Sequence, residues 1–208
     1  MNLLFDLDCL SKLHACSAFE KAVFLFPEEE HCFFISDTFP YSAKNYARIY
    51  EKKKKHLARI FSKIADRTLL KGFFELKATI DDISILDRLQ NFKHIDPGEA
   101  LLLLNVSRMQ NSRLLTGDKR FLTSIVEHEA DIKEIVPSFD KKLIFFLQIV
   151  HEICKRDEMQ IALFSTPEAQ ESDTALSSIF GGTPNLESIA DGVCSYTANF
   201  CNICGDFS

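Results

Sequence analysis

The chain opens on a short apolar run, Leu3-Leu4-Phe5, that stops at Asp6 and Asp8. An unbroken apolar stretch closed by acids predicts a buried parallel strand whose carboxyl end faces a polar crevice. Leu10, Leu13, Ala15, Phe19 and Val23 then recur at helical intervals, ending before Pro27 and the acidic turn Glu28-Glu29-Glu30. Cys32 to Ile35 predicts a second strand. From Tyr41 to about Phe74 the apolar positions Tyr46, Ile49, Tyr50, Leu57, Ile60, Phe61 and Ile64 follow helical spacing, over a length that calls for two helices. Ile80 to Phe92 continues a weaker helical pattern. Asp96-Pro97-Gly98-Glu99 combines an N-cap, a proline in the first turn and a box-closing glutamate, which predicts a helix start running to about Met109. Arg113 to Thr116 then predicts a strand, Gly117 its turn, and Lys119 to His128 a helix. Ile132 to Val136 and Lys142 to Phe146 are further strand candidates, the second passing into a helix through Cys154.

Strands that alternate with helices favour an α/β fold, a three-layer α/β/α sandwich around a central, mainly parallel sheet. With 208 residues and 46% hydrophobic content the chain can bury a sizeable core. After Phe164 the composition shifts toward Ser, Thr, Gly and Pro, including Gly181-Gly182-Thr183-Pro184. Residues 1–165 are therefore expected to form the main domain. Residues 166–208 are expected to form a small helical C-terminal extension packed on it, with helices over Pro167 to Phe180 and Leu186 to Phe200.

The formal net charge of −6 argues against a protein that coats nucleic acid non-specifically, although a local basic strip can still guide a polyanion. Lys52-Lys53-Lys54-Lys55-His56 begins such a strip, in which Lys55, Arg59 and Lys63 share one helix face. A solvated face is the simpler account of the same residues. The N-terminal run lacks a positive leader and carries acids, and no apolar run approaches the roughly 20 residues that span a bilayer. Seven cysteines without framework spacing fit reduced thiols. A soluble, cytoplasmic protein without a membrane partner is expected. Cys194, Cys201 and Cys204 contain one Cys-x-x-Cys but no second pair, so structural zinc is not expected. Walker loops, dinucleotide turns and serine elbows are absent.

Three acids carry the candidate chemistry: Asp6 after the first strand, Glu99 at the start of an apolar helix, and Asp118 after Leu114-Leu115-Thr116-Gly117. Each also has a purely structural account as a helix cap. Taken together, the segments Leu4 to Leu10, Asp96 to Ala100 and Leu114 to Arg120 resemble those of PIN-domain nucleases, including the toxin-type ribonucleases, in order and rough spacing. The resemblance covers about the first 150 residues. It implies an acidic cluster of Asp6, Glu99 and Asp118 that binds Mg2+ or Mn2+ and cleaves RNA with a metal-activated water. Clustered carboxylates tolerate one another when a cation neutralises them, and oxygen ligands select hard cations.

Many family members carry another acid after the second strand, where this chain has Ile35-Ser36-Asp37-Thr38, so Asp37 is a candidate further ligand. Asp8 is a candidate extra ligand or a cap of the following helix, and Thr116 and Lys119 flank Asp118 as candidate phosphate or water contacts. The expected partners are an RNA substrate, an antitoxin or regulatory protein, and a second copy of the chain. Two alternatives stay open. One is a catalytically degenerate PIN-fold module that binds RNA or protein. The other is a haloacid-dehalogenase-like phosphatase, suggested by Phe5-Asp6-Leu7-Asp8 but lacking that family's following Gly-Thr.

Overall fold

The computed structural model describes residues 1–27, 30–200 and 202–207. Its strands are β1 (Asn2–Phe5), β2 (Cys32–Ser36), β3 (Phe73–Leu76), β4 (Ser112–Thr116) and β5 (Leu143–Phe145). All pair in parallel, in the order β3-β2-β1-β4-β5. In the middle strand, Leu4 lies opposite Phe34 on one side and Leu114 on the other. Leu3, Leu4, Phe5, Leu114, Leu115 and Ile144 are fully buried. That explains why these strands read as continuous apolar runs rather than alternating ones. The chain moves outward from β1 to β2 and β3, then crosses back to β4 and β5. The strand order therefore reverses beside β1, and a crevice opens there at the carboxyl ends of β1 and β4, the usual ligand position of an open parallel sheet.

Helices α1 (Leu7–Ala15) and α2 (Phe19–Val23) follow β1, and α3 (Phe39–Tyr50) and α4 (Lys55–Ala65) follow β2. Between β3 and β4 lie α5 (Ile83–Gln90) and α6 (Pro97–Arg108), and between β4 and β5 lie α7 (Lys119–Glu127) and α8 (Glu129–Ile135). After β5 come α9 (Phe146–Arg156), α10 (Ile161–Phe164), α11 (Pro167–Ser172), α12 (Thr174–Phe180) and α13 (Leu186–Thr197). α6 crosses β1 to β4 and buries Ala100 through Leu104 together with Val106. A helix apolar on nearly every side is an interior helix. α1 packs on β4, α4 and α11, while α5 and α8 gather on the α6 side, an arrangement consistent with helices layered on both faces of the sheet. No helix among the described residues is long and apolar enough to cross a membrane.

The C-terminal helices return to the body of the molecule, α11 onto α1 and α13 onto α9. The chain end then runs beside β5: Cys204 bridges Leu143 in parallel, and the Gly205 amide donates to the Leu143 carbonyl at 2.8 Å. An otherwise open sheet edge is thereby covered.

Four elements differ from the sequence expectation. The helix expected over Leu10 to Val23 is split at Ser17, whose φ of 53° is left-handed; the apolar rhythm continues because α1 and α2 bury the same side. The helical pattern ending near Phe74 conceals β3, an edge strand whose Phe74 is 58% exposed and so breaks the expected alternation. Ile132 to Val136 belongs to the α8 turn rather than a strand. Its buried residues, Ile132 and Val136, stand four apart on one helix face. Pro167 to Phe180 is divided by the extended Asp173, which caps α12. Glu28, Glu29 and Cys201, named above for the acidic turn and the Cys-x-x-Cys pair, lie outside the described residues.

At Gly205 a Cβ would fall 2.1 Å from the Lys141 carbonyl oxygen. Gly205→Ala should therefore displace the chain end from β5 and lower stability by about 1–3 kcal/mol, read from urea denaturation. An unchanged midpoint would show that this edge contributes nothing.

Candidate functional site

Asp6 leaves β1 with extended backbone and caps α1, its Oδ1 accepting from the Cys9 amide at 2.5 Å. Its Oδ2 accepts from the Gly117 amide at 3.0 Å and from the buried Thr116 hydroxyl. One carboxylate therefore ties the first helix to the turn that leaves β4. The approach is close enough to need glycine, because a Cβ at Gly117 would lie 2.5 Å from Asp8 Oδ2 and 3.0 Å from the Cys9 nitrogen. The next residue, Asp118, caps α7 through Oδ1, which accepts from the Arg120 amide at 2.7 Å. Glu99 and Asp96 form the capping box of α6, with reciprocal bonds of 2.8 Å. Asp6, Glu99 and Asp118 thus sit at the first turns of three helices, where the helix dipoles favour negative charge.

These first turns meet in one cleft of about 620 Å³. Asp6, Asp8, Asp96, Glu99, Asp118 and Asp173 line it, against the cations Lys12, Lys119 and Arg120. Burial pushes the Asp6 carboxyl up to about 7 and the neighbouring Asp8 adds to this, against the hydrogen bonds from Thr116, Cys9 and Gly117. Glu99 is pushed up to about 9, first by burial and then by Asp96, with Asp6 and Asp118 contributing. Desolvation and like charge both disfavour the ionised forms.

Lys12 balances one side of the cleft. Its ammonium pairs with Asp8 and with Asp173 Oδ2 at 2.6 Å, and donates to the Gly117 carbonyl at 3.1 Å. All three of its donor positions are thus occupied. It also lies 5.6 Å from the centre of the Phe146 ring. Burial opposes its charge, but Asp8 and Asp173 more than offset that and raise its pKa above the ordinary lysine value.

Of the residues singled out in the sequence, Asp6, Asp8, Glu99, Asp118 and Lys119 line the cleft. Asp37 does not. After β2 the chain turns so that Thr38 and Ser42 face the cleft, with the Ser36 and Thr38 hydroxyls bonded at 2.8 Å. Asp8 is not the cap of α1, a role that Asp6 takes; it is the ion-pair partner of Lys12. Thr116 is buried and holds Asp6 rather than meeting a ligand. Lys55, Arg59 and Lys63 are exposed on the outer face of α4, and only Phe61 of that helix reaches the cleft.

Sequence reasoning missed Lys12, Asp173, Arg120 and Tyr196 as lining residues. The four-residue step from Asp8 to Lys12 is an ion-pair spacing and was available as a signal. Asp173 and Tyr196 arrive from the C-terminal segment through tertiary packing alone. Among the described residues, no three His, Cys, Asp or Glu side chains are grouped so as to hold a metal ion as they stand. The donors that Asp6, Glu99 and Asp118 offer are all oxygens, which suit a hard divalent cation.

Folding raises Glu99 from 4.5 to about 9 and Asp6 from 3.8 to about 7, so the folded chain keeps protons that the unfolded chain releases. That stabilisation is complete below the unfolded values and is lost as pH rises through the folded ones. The melting temperature of the metal-free protein should therefore fall from about pH 5 to pH 9. Glu99→Gln should flatten the decline and melt higher than the parent at the alkaline end, by roughly 2–4 °C per kcal/mol of repulsion relieved. Parallel curves for the two proteins would refute the assignment. Lys12→Met, which strands Asp8 and Asp173 beside each other, should cost about 3 kcal/mol by urea denaturation. No protein-family model matches this chain, and no curated protein and no solved structure matches it, so functional inference rests on the cleft itself.

Proposed function

We propose that the chain is a PIN-type nuclease, a three-layer α/β/α domain that hydrolyses RNA phosphodiester bonds with Mg2+ or Mn2+. The observation that carries this reading is the convergence of Asp6, Glu99 and Asp118, from three distant segments, on one cleft at the carboxyl ends of β1 and β4. A cap or a surface ion pair does not require that convergence. Asp6 is raised by burial and by Asp8, and Glu99 by burial and then Asp96, and such carboxylates are a site in which a cation is welcome.

Asp6, Glu99 and Asp118 are the residues that would hold the cation. When bound, it would stabilise charge on the phosphate and ease deprotonation of an attacking water. The protein's own groups position and select. Thr116, Cys9 and Gly117 fix Asp6 in one orientation. Lys119 and Arg120, at the first turn of α7, lie where they can meet phosphate oxygens. Lys12 is fully engaged with Asp8, Asp173 and Gly117, and its role is to hold the cleft wall. The biological setting we infer is a cytoplasmic toxin restrained by a protein partner.

A second reading, an RNA- or protein-binding module without catalysis, is favoured by one specific feature: after β2 it is Thr38 and Ser42, and no acid, that line the cleft. Metal titration separates the two. Manganese should stabilise the enzyme saturably, by about 2.7 kcal/mol at one hundred times its Kd. Glu99→Gln and Asp118→Asn should each lower manganese-dependent cleavage of RNA by on the order of 100-fold with the fold retained. Unchanged cleavage in the purified double variant rejects the assignment, and no thermal shift at millimolar manganese favours the binding module.

A further inference from the structure

The cleft has a second wall that the carboxylate chemistry does not use. α3 supplies Tyr46 and Tyr50, four residues apart and therefore on one helix face, and α4 supplies Phe61. Their ring centres are 6.2 Å apart for Tyr46 and Tyr50, 5.2 Å for Tyr46 and Phe61, and 5.7 Å for Tyr50 and Phe61. The planes are inclined by only 15°, 28° and 19°, so the three rings form a triangular cluster with nearly parallel planes. All three line the same cleft as Asp6, Glu99 and Asp118. Phe61 is anchored in the core, whereas Tyr46 is 43% exposed. The Tyr46 hydroxyl is held above its ordinary pKa by burial, then by Tyr50, and also by Asp8, Asp96 and Asp118, which places the ring within electrostatic reach of the acids.

Cations flank this arrangement. Lys54 lies 5.7 Å from the Tyr50 ring centre, and Lys119 lies 5.2 Å from that of Tyr196, another residue of the cleft. The cleft therefore offers carboxylates for a cation, basic groups for phosphate oxygens and a flat aromatic wall. A nucleotide matches all three features. Its base is the only part with an aromatic face, and base stacking on tyrosine is tolerant of sequence. In a duplex that face is already covered by neighbouring base pairs, so the wall suits an unpaired base.

We propose that Tyr46, backed by Tyr50 and Phe61, is a stacking site for an unpaired nucleobase next to the phosphate held at the carboxylates, making single-stranded RNA the ligand of the cleft. This rests on the ribonuclease reading above. It adds the group that selects the strand and places selectivity in α3, away from the basic face of α4.

The test uses the full chain carrying Asp118→Asn to prevent turnover, with a fluorescent single-stranded RNA oligonucleotide read by anisotropy in manganese. Tyr46→Ala should weaken binding by roughly 10-fold, the loss expected of one base–aromatic stack. Tyr46→Phe, which keeps the ring, should restore it. A set of oligonucleotides with one abasic position each should include one that weakens binding to the Tyr46 protein as much, with no further loss in Tyr46→Ala. Equal binding of a matched duplex, unchanged affinity in Tyr46→Ala, or additive losses from the variant and every abasic site would each overturn the proposal. So would binding of spermine that depends on Tyr46 without any binding of RNA. Cleavage by the otherwise unaltered chain keeps the two readings apart. If that chain cuts RNA and Tyr46→Ala leaves KM unchanged, the stacking site alone falls. If RNA is bound with the Tyr46 signature but never cut, the stacking site stands and the nuclease reading falls. If RNA is neither bound nor cut, both fall.

Discussion

Both oxygens of the Asp6 carboxylate are taken by donors from separate parts of the chain, the Cys9 amide on one side and the Thr116 hydroxyl and Gly117 amide on the other. The middle strand ends there, the first helix begins there, and the turn after β4 is drawn in until only a glycine fits. That approach places Asp118 at the cleft one residue later. It also brings the Gly117 carbonyl within reach of Lys12, which carries the contact on to Asp173 in the C-terminal segment. A buried carboxylate is tolerable only when well hydrogen-bonded, and here the bonds that satisfy it are the ones that assemble the cleft.

The acids of the cleft fall into two groups with different electrostatics. Asp8 and Asp173 share the Lys12 ammonium, so on that side one of two negative charges is offset within the fold. Among the described residues, Asp6, Glu99 and Asp118 have only the exposed Arg120 guanidinium, 3.4 Å from Asp118, as an ion-pair partner. Burial and mutual repulsion leave Asp6 and Glu99 reluctant to ionise. Stability alone would not gather such groups. Departures from favourable electrostatics of this kind accompany functional sites in folded proteins. In the aromatic wall, Tyr46 stays partly exposed although its ring packs against the buried Phe61.

The sheet was legible as apolar runs at β1, β2, β4 and β5, most clearly at β1 and β4, where an acid or a glycine closes the run. It was not legible at β3, a short edge strand half open to solvent, nor at α8, where a brief apolar pair fits helix and strand equally. The caps were visible as well: Asp96 with Glu99 and Gly117 with Asp118 are local signals with local causes. The same local logic misplaced the cap at Asp8, because the donor to Asp6 comes from Cys9 while the partner of Asp8 is Lys12. The family resemblance offered Asp37 as a further ligand, and its departure from the cleft follows from the direction of the turn after Ser36.

Periodicity and capping chemistry are properties of neighbouring residues, and they suffice for an α/β chain with acids at the ends of its elements. Which acids meet depends on the order of strands in the sheet and on the hydrogen bonds that close the crevice, both made by residues remote in sequence. The basic face of α4 shows the difference. Its spacing is plain in the chain, yet packing against α1 and α3 turns those cations outward and offers the cleft the aromatic rings instead. Asp173 and Tyr196 reach the cleft only because the C-terminal helices fold back onto α1 and α9, a long-range event that no local pattern records.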